Sequence, residues 1–112
     1  MVGAAEEGGD LTQATEWARR AVSLRPDVAS FRDTLGWVYR ASGNLTKAEE
    51  ETRLAVDMAP RSAESHYHLG VVLADRGKHT EARAAFREAL TIEADYAAAR
   101  EALAAYSTES ED

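Results

Sequence analysis

Leu45, Ala48, Thr52, Ala55 and Met58 fall three and four residues apart, so along a helix they share one side while the polar residues between them face away. Asn44 stands just before the series, where its side-chain oxygen can accept a free backbone N–H, and Pro60 bars continuation beyond it. The preceding block carries Phe31, Leu35, Val38 and Tyr39 on its inward side and stops at Gly43, a residue suited to the left-handed conformation that ends a helix. Its interior also holds Gly36, at a cost of about 1 kcal/mol relative to alanine. Some other interaction must offset that cost.

The pattern returns at a fixed interval. Gly36 and Gly70 are 34 residues apart, and the same step separates Gly9, Gly43 and Gly77, then Ala14, Ala48 and Ala82, then Ala21, Ala55 and Ala89. Pro26 and Pro60 keep it, as do Leu35, Leu69 and Leu103 and the series Ala29, Ala63 and Ala97, while Leu24, Met58 and Ile92 keep it with varied apolar side chains. So long and strict a period marks a repeat architecture, each unit a hairpin of two short helices that buries its apolar face only by stacking on its neighbours. Gly36, Ala48 and Ala55 are then small because helix axes approach closely there. Helices are predicted near 10–24, 28–42, 45–58, 63–76, 79–93 and 96–107. Asp27 and Ser62 are the expected N-caps of the two opening helices and Asp95 that of the last, whereas Lys78 is a poor cap for the fifth. Gly8-Gly9-Asp10 reads as a helix stop followed by a cap, which leaves residues 2–9 as the last turn of an earlier helix.

These residues resemble the tetratricopeptide repeat, whose pattern is W-x2-L-G-x2-Y, then A-x3-F, A and P. Leu35-Gly36, Tyr39, Ala48, Ala55 and Pro60 match it in one unit, and Leu69-Gly70, Ala82, Phe86 and Ala89 in the next. Departures are Arg32 and His66 at the tryptophan position, Leu73 for tyrosine, Thr52 for the large aromatic and Ala94 for proline. The resemblance covers about residues 4–107 and implies an all-α superhelix of antiparallel helix hairpins. Within a domain at 1–107 it divides the chain into a half repeat at 4–28, full repeats at 29–62 and 63–96, and a C-terminal capping helix at 97–107. The acidic residues 108–112 read as a disordered tail.

Composition narrows the function more than the fold. The 112 residues are 45% hydrophobic with two prolines, which suits one small all-helical domain. The absence of cysteine removes disulfide and thiolate chemistry and fits a reducing, cytoplasmic setting, and no apolar run is long enough for a membrane span or signal peptide. A net charge of −7 opposes nonspecific nucleic-acid binding, which rests on neutralising phosphates. His66 and His68 stand about 200° apart around a helix, so they do not form a metal pair. The run Glu49-Glu50-Glu51 points in three directions and reads as a solvated face. Gly8-Gly9-Asp10 lacks the lysine of a phosphate loop, and no nucleophile, base and orienter share a supporting spacing. No enzyme activity, cofactor or metal is expected.

What remains is a surface. In the family resembled, the first helices of successive repeats line a concave side that binds extended peptides or helices of other proteins. Carried over, that groove comprises Ser30, Asp33, Trp37 and Arg40, then Glu64, Tyr67, His68, Val71 and Asp75, and Glu101 from the capping helix. Trp37 is the expected anchor, with Tyr67 and Val71 gripping apolar side chains. Some members hold a chaperone C-terminal carboxylate with a clamp of lysines, asparagines and an arginine; Asp33, Trp37, His68, Ala98 and Ala102 stand there instead. Asp33, Glu64, Asp75 and Glu101 against Arg40 make the groove acidic, so the expected partner is a neutral or basic protein segment. Two alternatives stand beside this scaffold reading: a homodimer formed through an open N-terminal edge at Leu11, Ala14, Ala18 and Val22, or the targeting arm of a larger enzyme or assembly.

Overall fold

A computed structural model describes residues 2–110, with side chains described from Leu11 to Tyr106. Six helices follow one another: α1 (Val2–Leu24), α2 (Ala29–Ala41), α3 (Leu45–Met58), α4 (Ala63–Asp75), α5 (His79–Ile92) and α6 (Ala97–Ser110). The described residues contain no strand. Each helix packs on the next, and α4 also reaches back to α2. The outcome is the stacked all-α repeat that the 34-residue period predicts.

The turns show why the period is kept. Gly43 has φ 84° and Gly77 φ 79°, and among the described residues they alone have positive φ. After α2, the Gly43 N–H donates to the Arg40 carbonyl at 3.0 Å and the Asn44 N–H to the Tyr39 carbonyl at 2.9 Å. After α4, Gly77 N–H donates to Ala74 at 3.0 Å and Lys78 N–H to Leu73 at 2.9 Å. Each pair is a Schellman motif, closing the last carbonyls of one helix while turning the chain into the next. Asn44 then caps α3 by accepting from the Lys47 N–H at 3.3 Å, and Ser62 caps α4 by accepting from Ser65 at 3.2 Å. Lys78 gives α5 no side-chain cap, as expected.

The ends depart from expectation. The helix predicted to start at residue 10 is α1, which runs unbroken from Val2 through Gly8, Gly9 and Asp10. Glycine does not itself break a helix, and the φ > 0 that a stop needs is not adopted there. Asp27 is not the cap of α2: Val28 holds that position without a side-chain hydrogen bond, while Asp27 lies one residue early and takes a 3.4 Å contact from Arg25. Asp95 is likewise one residue early, because the Tyr96 carbonyl accepts the Arg100 N–H at the start of α6. Helix α6 continues to Ser110, so 108–110 of the expected disordered tail have helical backbone, and residues 111 and 112 lie outside the described residues.

Alanines line the junctions: Ala48, Ala55, Ala82 and Ala89 are each 0% exposed. Around them Leu69, Leu73, Ala82, Ala85 and Phe86 form the main core cluster, to which a fully buried leucine or phenylalanine contributes about 1.5–3 kcal/mol. A β-carbon added to Gly36 would lie 2.7 Å from Thr52 Cγ2 and 3.2 Å from the Ala48 carbonyl oxygen and the Thr52 nitrogen. One added to Gly70 would meet the Phe86 ring at 2.6, 2.7 and 3.0 Å. Both glycines therefore admit close packing of the partner helix, and even a single methyl group is too large.

On another part of the stack, Glu49 is buried and accepts from Arg53 Nε at 2.7 Å, Arg76 at 2.8 Å and Lys78 Nζ at 3.1 Å, while Arg53 also reaches Glu81 at 2.6 Å. This ties α3 to the α4–α5 turn. Burial alone would push the Glu49 carboxyl up, but the hydrogen bonds and charges of Arg53 and Lys78 outweigh it and hold the group below its ordinary value.

Two predictions follow from this packing. Gly36→Ala and Gly70→Ala should each destabilise by about 1–3 kcal/mol in urea unfolding, and combining Gly36→Ala with Thr52→Ser, which removes the opposing methyl, should cost less than the sum. Because the folded-state pKa of Glu49 is depressed, its contribution is complete above the ordinary value of 4.5 and fades as pH falls through the lower folded value. Stability measured across that acid range should fall less steeply in Glu49→Gln than in the parent.

Candidate functional site

Helices α2 and α4 stand side by side and expose matching stripes. Ser30, Asp33 and Trp37 fall on one side of α2, and Glu64 and His68 on one side of α4, with spacings of three and four residues. These five side chains, with Thr34 and Val38, line a depression of 310 Å³.

His68 organises it. Its Nδ1 lies 2.9 Å from both carboxylate oxygens of Asp33, and because a carboxylate only accepts, Nδ1 carries the proton. The imidazole stacks on the Trp37 indole with ring centroids 4.1 Å apart. The Arg40 guanidinium covers the indole at 4.8 Å and donates to Asp75 at 2.6 Å. Asp75, Arg40, Trp37, His68 and Asp33 thus form one continuous series of contacts across the α2–α4 junction. Glu64, with a side chain 68% exposed, reaches toward His68 Nε2 at 3.9 Å and supplies the outward charge.

The expected groove is therefore sorted into parts. Asp33 is not a rim carboxylate: it is 7% exposed and is committed to His68. Arg40 and Asp75 neutralise one another, so the charges expected to oppose across the groove are a pair. Trp37 is half-buried between two neighbours, which makes it a fixed platform in place of a free indole. Tyr67 and Val71 pack partly buried against the core cluster, and Tyr67 also meets Tyr96 with centroids 5.5 Å apart. Glu101 lies apart, in a shallow depression with Ala97, Arg100 and Ala104.

Tyr96 is a site neighbour that the repeat pattern missed, since it sits at the start of α6 and not on an opening-helix stripe. Burial raises its phenol, followed by the Glu64 carboxylate. Thr34 and Val38 were also missed as lining residues; Val38 carried only a core assignment.

The proposed N-terminal edge is likewise divided. Ala18 is buried at 6% and Ala14 half-buried, and with Trp17 and Ala21 of α1 and Phe31 and Val38 of α2 they line a second, apolar cleft of 380 Å³. Leu11 is 37% exposed and Val22 half-buried, but neither lines that cleft. Among the described residues no cluster of three or more metal-binding side chains occurs, and no helix is long and apolar enough to cross a membrane.

With this geometry established, residues 34–97 match a sequence model described as tetratricopeptide repeat. No curated protein gives a significant sequence match. Among solved structures, the chain is similar to the Arabidopsis OM64 TPR domain (20% identity, 96% of this chain and 88% of that one, TM-score 0.85). It is similar also to the first TPR of Spaghetti (RPAP3) bound to the HSP90 peptide SRMEEVD (16% identity, 98% and 87% covered, TM-score 0.88). A third is the Sgt2 TPR domain from Aspergillus fumigatus (22% identity, 97% and 74% covered, TM-score 0.86). At these identities the likeness is one of fold.

His68→Ala would leave the Asp33 carboxylate buried without its donor and would remove one wall of Trp37. It should cost about 2–3 kcal/mol in urea unfolding, and a double-mutant cycle with Asp33→Ala should show coupling of about 1 kcal/mol or more.

Proposed function

The chain belongs to the tetratricopeptide-repeat family, and on that premise we propose that it is a noncatalytic interaction scaffold whose α2–α4 groove holds a neutral or basic segment of another protein. The observation that carries this reading is Trp37, an indole fixed between His68 and Arg40 at the wall of the 310 Å³ depression. An aromatic already held in place loses little freedom when it binds, which favours its use as an anchor.

Charge supports the choice of partner. With Asp33 turned to His68 and Arg40 paired to Asp75, Glu64 is the exposed charge at the depression, and the whole chain carries −7. A negative rim attracts lysine and arginine over distance and loses that pull as salt rises. The Spaghetti domain is bound to SRMEEVD, a peptide with an acidic end. At the carboxylate-clamp positions of such domains this chain has Asp33, Trp37, His68, Ala98 and Ala102, with no lysine or arginine to receive that end. A cytoplasmic setting belongs to the same proposal.

A peptide array spanning basic, neutral and acidic sequences tests it. Basic or neutral peptides should bind, Trp37→Ala should weaken binding by about tenfold or more, and Glu64→Gln should flatten the dependence on salt. A preference for acidic peptides, or normal binding by Trp37→Ala with helicity retained, would refute the groove assignment.

A further inference from the structure

The lining of the α2–α4 depression suits one kind of side chain. Both walls belong to hairpins that already have their partner helices, α2 with α3 and α4 with α5. Trp37 and Val38 give the depression an apolar flank. Its polar lining is Ser30, Thr34, Asp33, Glu64 and His68, in which the carboxylates only accept hydrogen bonds and the hydroxyls are able to. No lysine or arginine is among the described lining residues.

His68 adds a directed acceptor. Nδ1 gives its proton to Asp33, so the neutral ring carries a lone pair at Nε2. Among the described residues every buried side-chain nitrogen or oxygen has a hydrogen-bond partner. Nε2 has none, Glu64 standing 3.9 Å away, and it is therefore open to the depression.

An apolar stem ending in a group that donates and never accepts is the chemistry of lysine and arginine. On the reading of the groove as the partner's binding surface, and resting on it, we propose that the depression receives one such side chain of the partner. Its stem lies on Trp37 and Val38 and its head between Glu64 and Nε2 of His68, and this head and a second proton on the imidazole exclude one another. A volume of 310 Å³, at the low end of the range of about 300–1,000 Å³ for ligand pockets, suits one side chain and not a length of chain.

The exclusion follows from charge. Once Nε2 is protonated its lone pair is gone and the ring is a cation that draws in Glu64, so an arriving guanidinium meets a positive ring and an engaged carboxylate. The other groups near the ring leave this unchanged. Asp33 holds Nδ1 in either state, and Arg40, beyond the indole, is paired with Asp75. Tyr67, 5.8 Å from the imidazole, and Tyr96 behind it present phenols, which ordinarily ionise far above neutral pH. Affinity for the cation is then full on the alkaline side and is lost as pH falls.

The probe is N-acetyl-arginine N-methylamide, whose guanidinium keeps its charge throughout, titrated into the full chain and followed by the NMR signals of the Trp37 indole and the His68 ring. Saturable shifts of both are expected, with the citrulline analogue, alike in shape but uncharged, binding about tenfold more weakly. From about pH 8 to about pH 5.5, the span in which histidine ordinarily changes charge, affinity should fall about tenfold. Glu64→Gln, at an exposed position, should weaken binding severalfold. His68→Asn, whose amide N–H can still supply Asp33 but which has no Nε2, should bind more weakly at the alkaline end and lose the pH dependence, whereas His66→Gln should keep it. Absence of saturation, equal binding of the citrulline analogue, affinity that is constant or rises as pH falls, or a pH dependence that survives in His68→Asn would overturn the proposal. Should His68→Asn not fold, the citrulline and pH comparisons decide. The groove reading fails separately, through array peptides that bind Trp37→Ala normally. Peptides that require Trp37 but bind equally across this pH span leave the groove standing and sink only the cation pocket.

Discussion

The constraint on which the stack depends is the distance between helix axes where Gly36 meets Thr52 and Gly70 meets Phe86. A β-carbon on either glycine would come within 2.7 Å of a side chain that is itself buried. Close approach there brings Ala48, Ala55, Ala82 and Ala89 into contact from which water is excluded, and each is fully buried. The roughly 1 kcal/mol lost by placing glycine in a helix is set against this burial. Repetition follows because every hairpin must present the same spacing to the next.

Polar side chains fasten the layers at the edges of that apolar seam. Asp33 and His68 join α2 to α4 beside the groove, while Glu49 with Arg53, Arg76 and Lys78 joins α3 to the α4–α5 turn. Each buried carboxylate is met by donors, and no described buried side-chain polar atom lacks a partner. Such pairs add modest net stability but penalise any other register, since a shift would strand a charge away from water. They keep the α2–α4 face in one arrangement, and Trp37 takes its fixed position from it.

Two surfaces then follow from one architecture. The α2–α4 depression is polar, carries an exposed carboxylate at Glu64 and has an aromatic wall; the α1–α2 cleft is alanine-lined and apolar, with Trp17 at its edge. They adjoin along α2: Trp37 and Asp33 serve one, Phe31 serves the other, and Thr34 and Val38 border both.

The sequence by itself determined the repeat, the helical class and the reason for Gly36. All three depend on residues close along the chain or on a fixed interval, so spacing and side-chain size reveal them. The turns at Gly43 and Gly77 were legible for the same reason, because a left-handed turn has a local chemical requirement. The unbroken course of α1 through Gly8 and Gly9 was not, since glycine permits a stop without imposing one. Nor were the partners of Asp33 and Arg40 legible. His68 and Asp75 each stand 35 residues further on, and whether those side chains meet depends on how α2 and α4 are turned against one another. Sequence placed all four on the groove as separate charges and rings; only the tertiary structure joined them into pairs, because the angle and offset between packed helices are set by every contact along the seam at once.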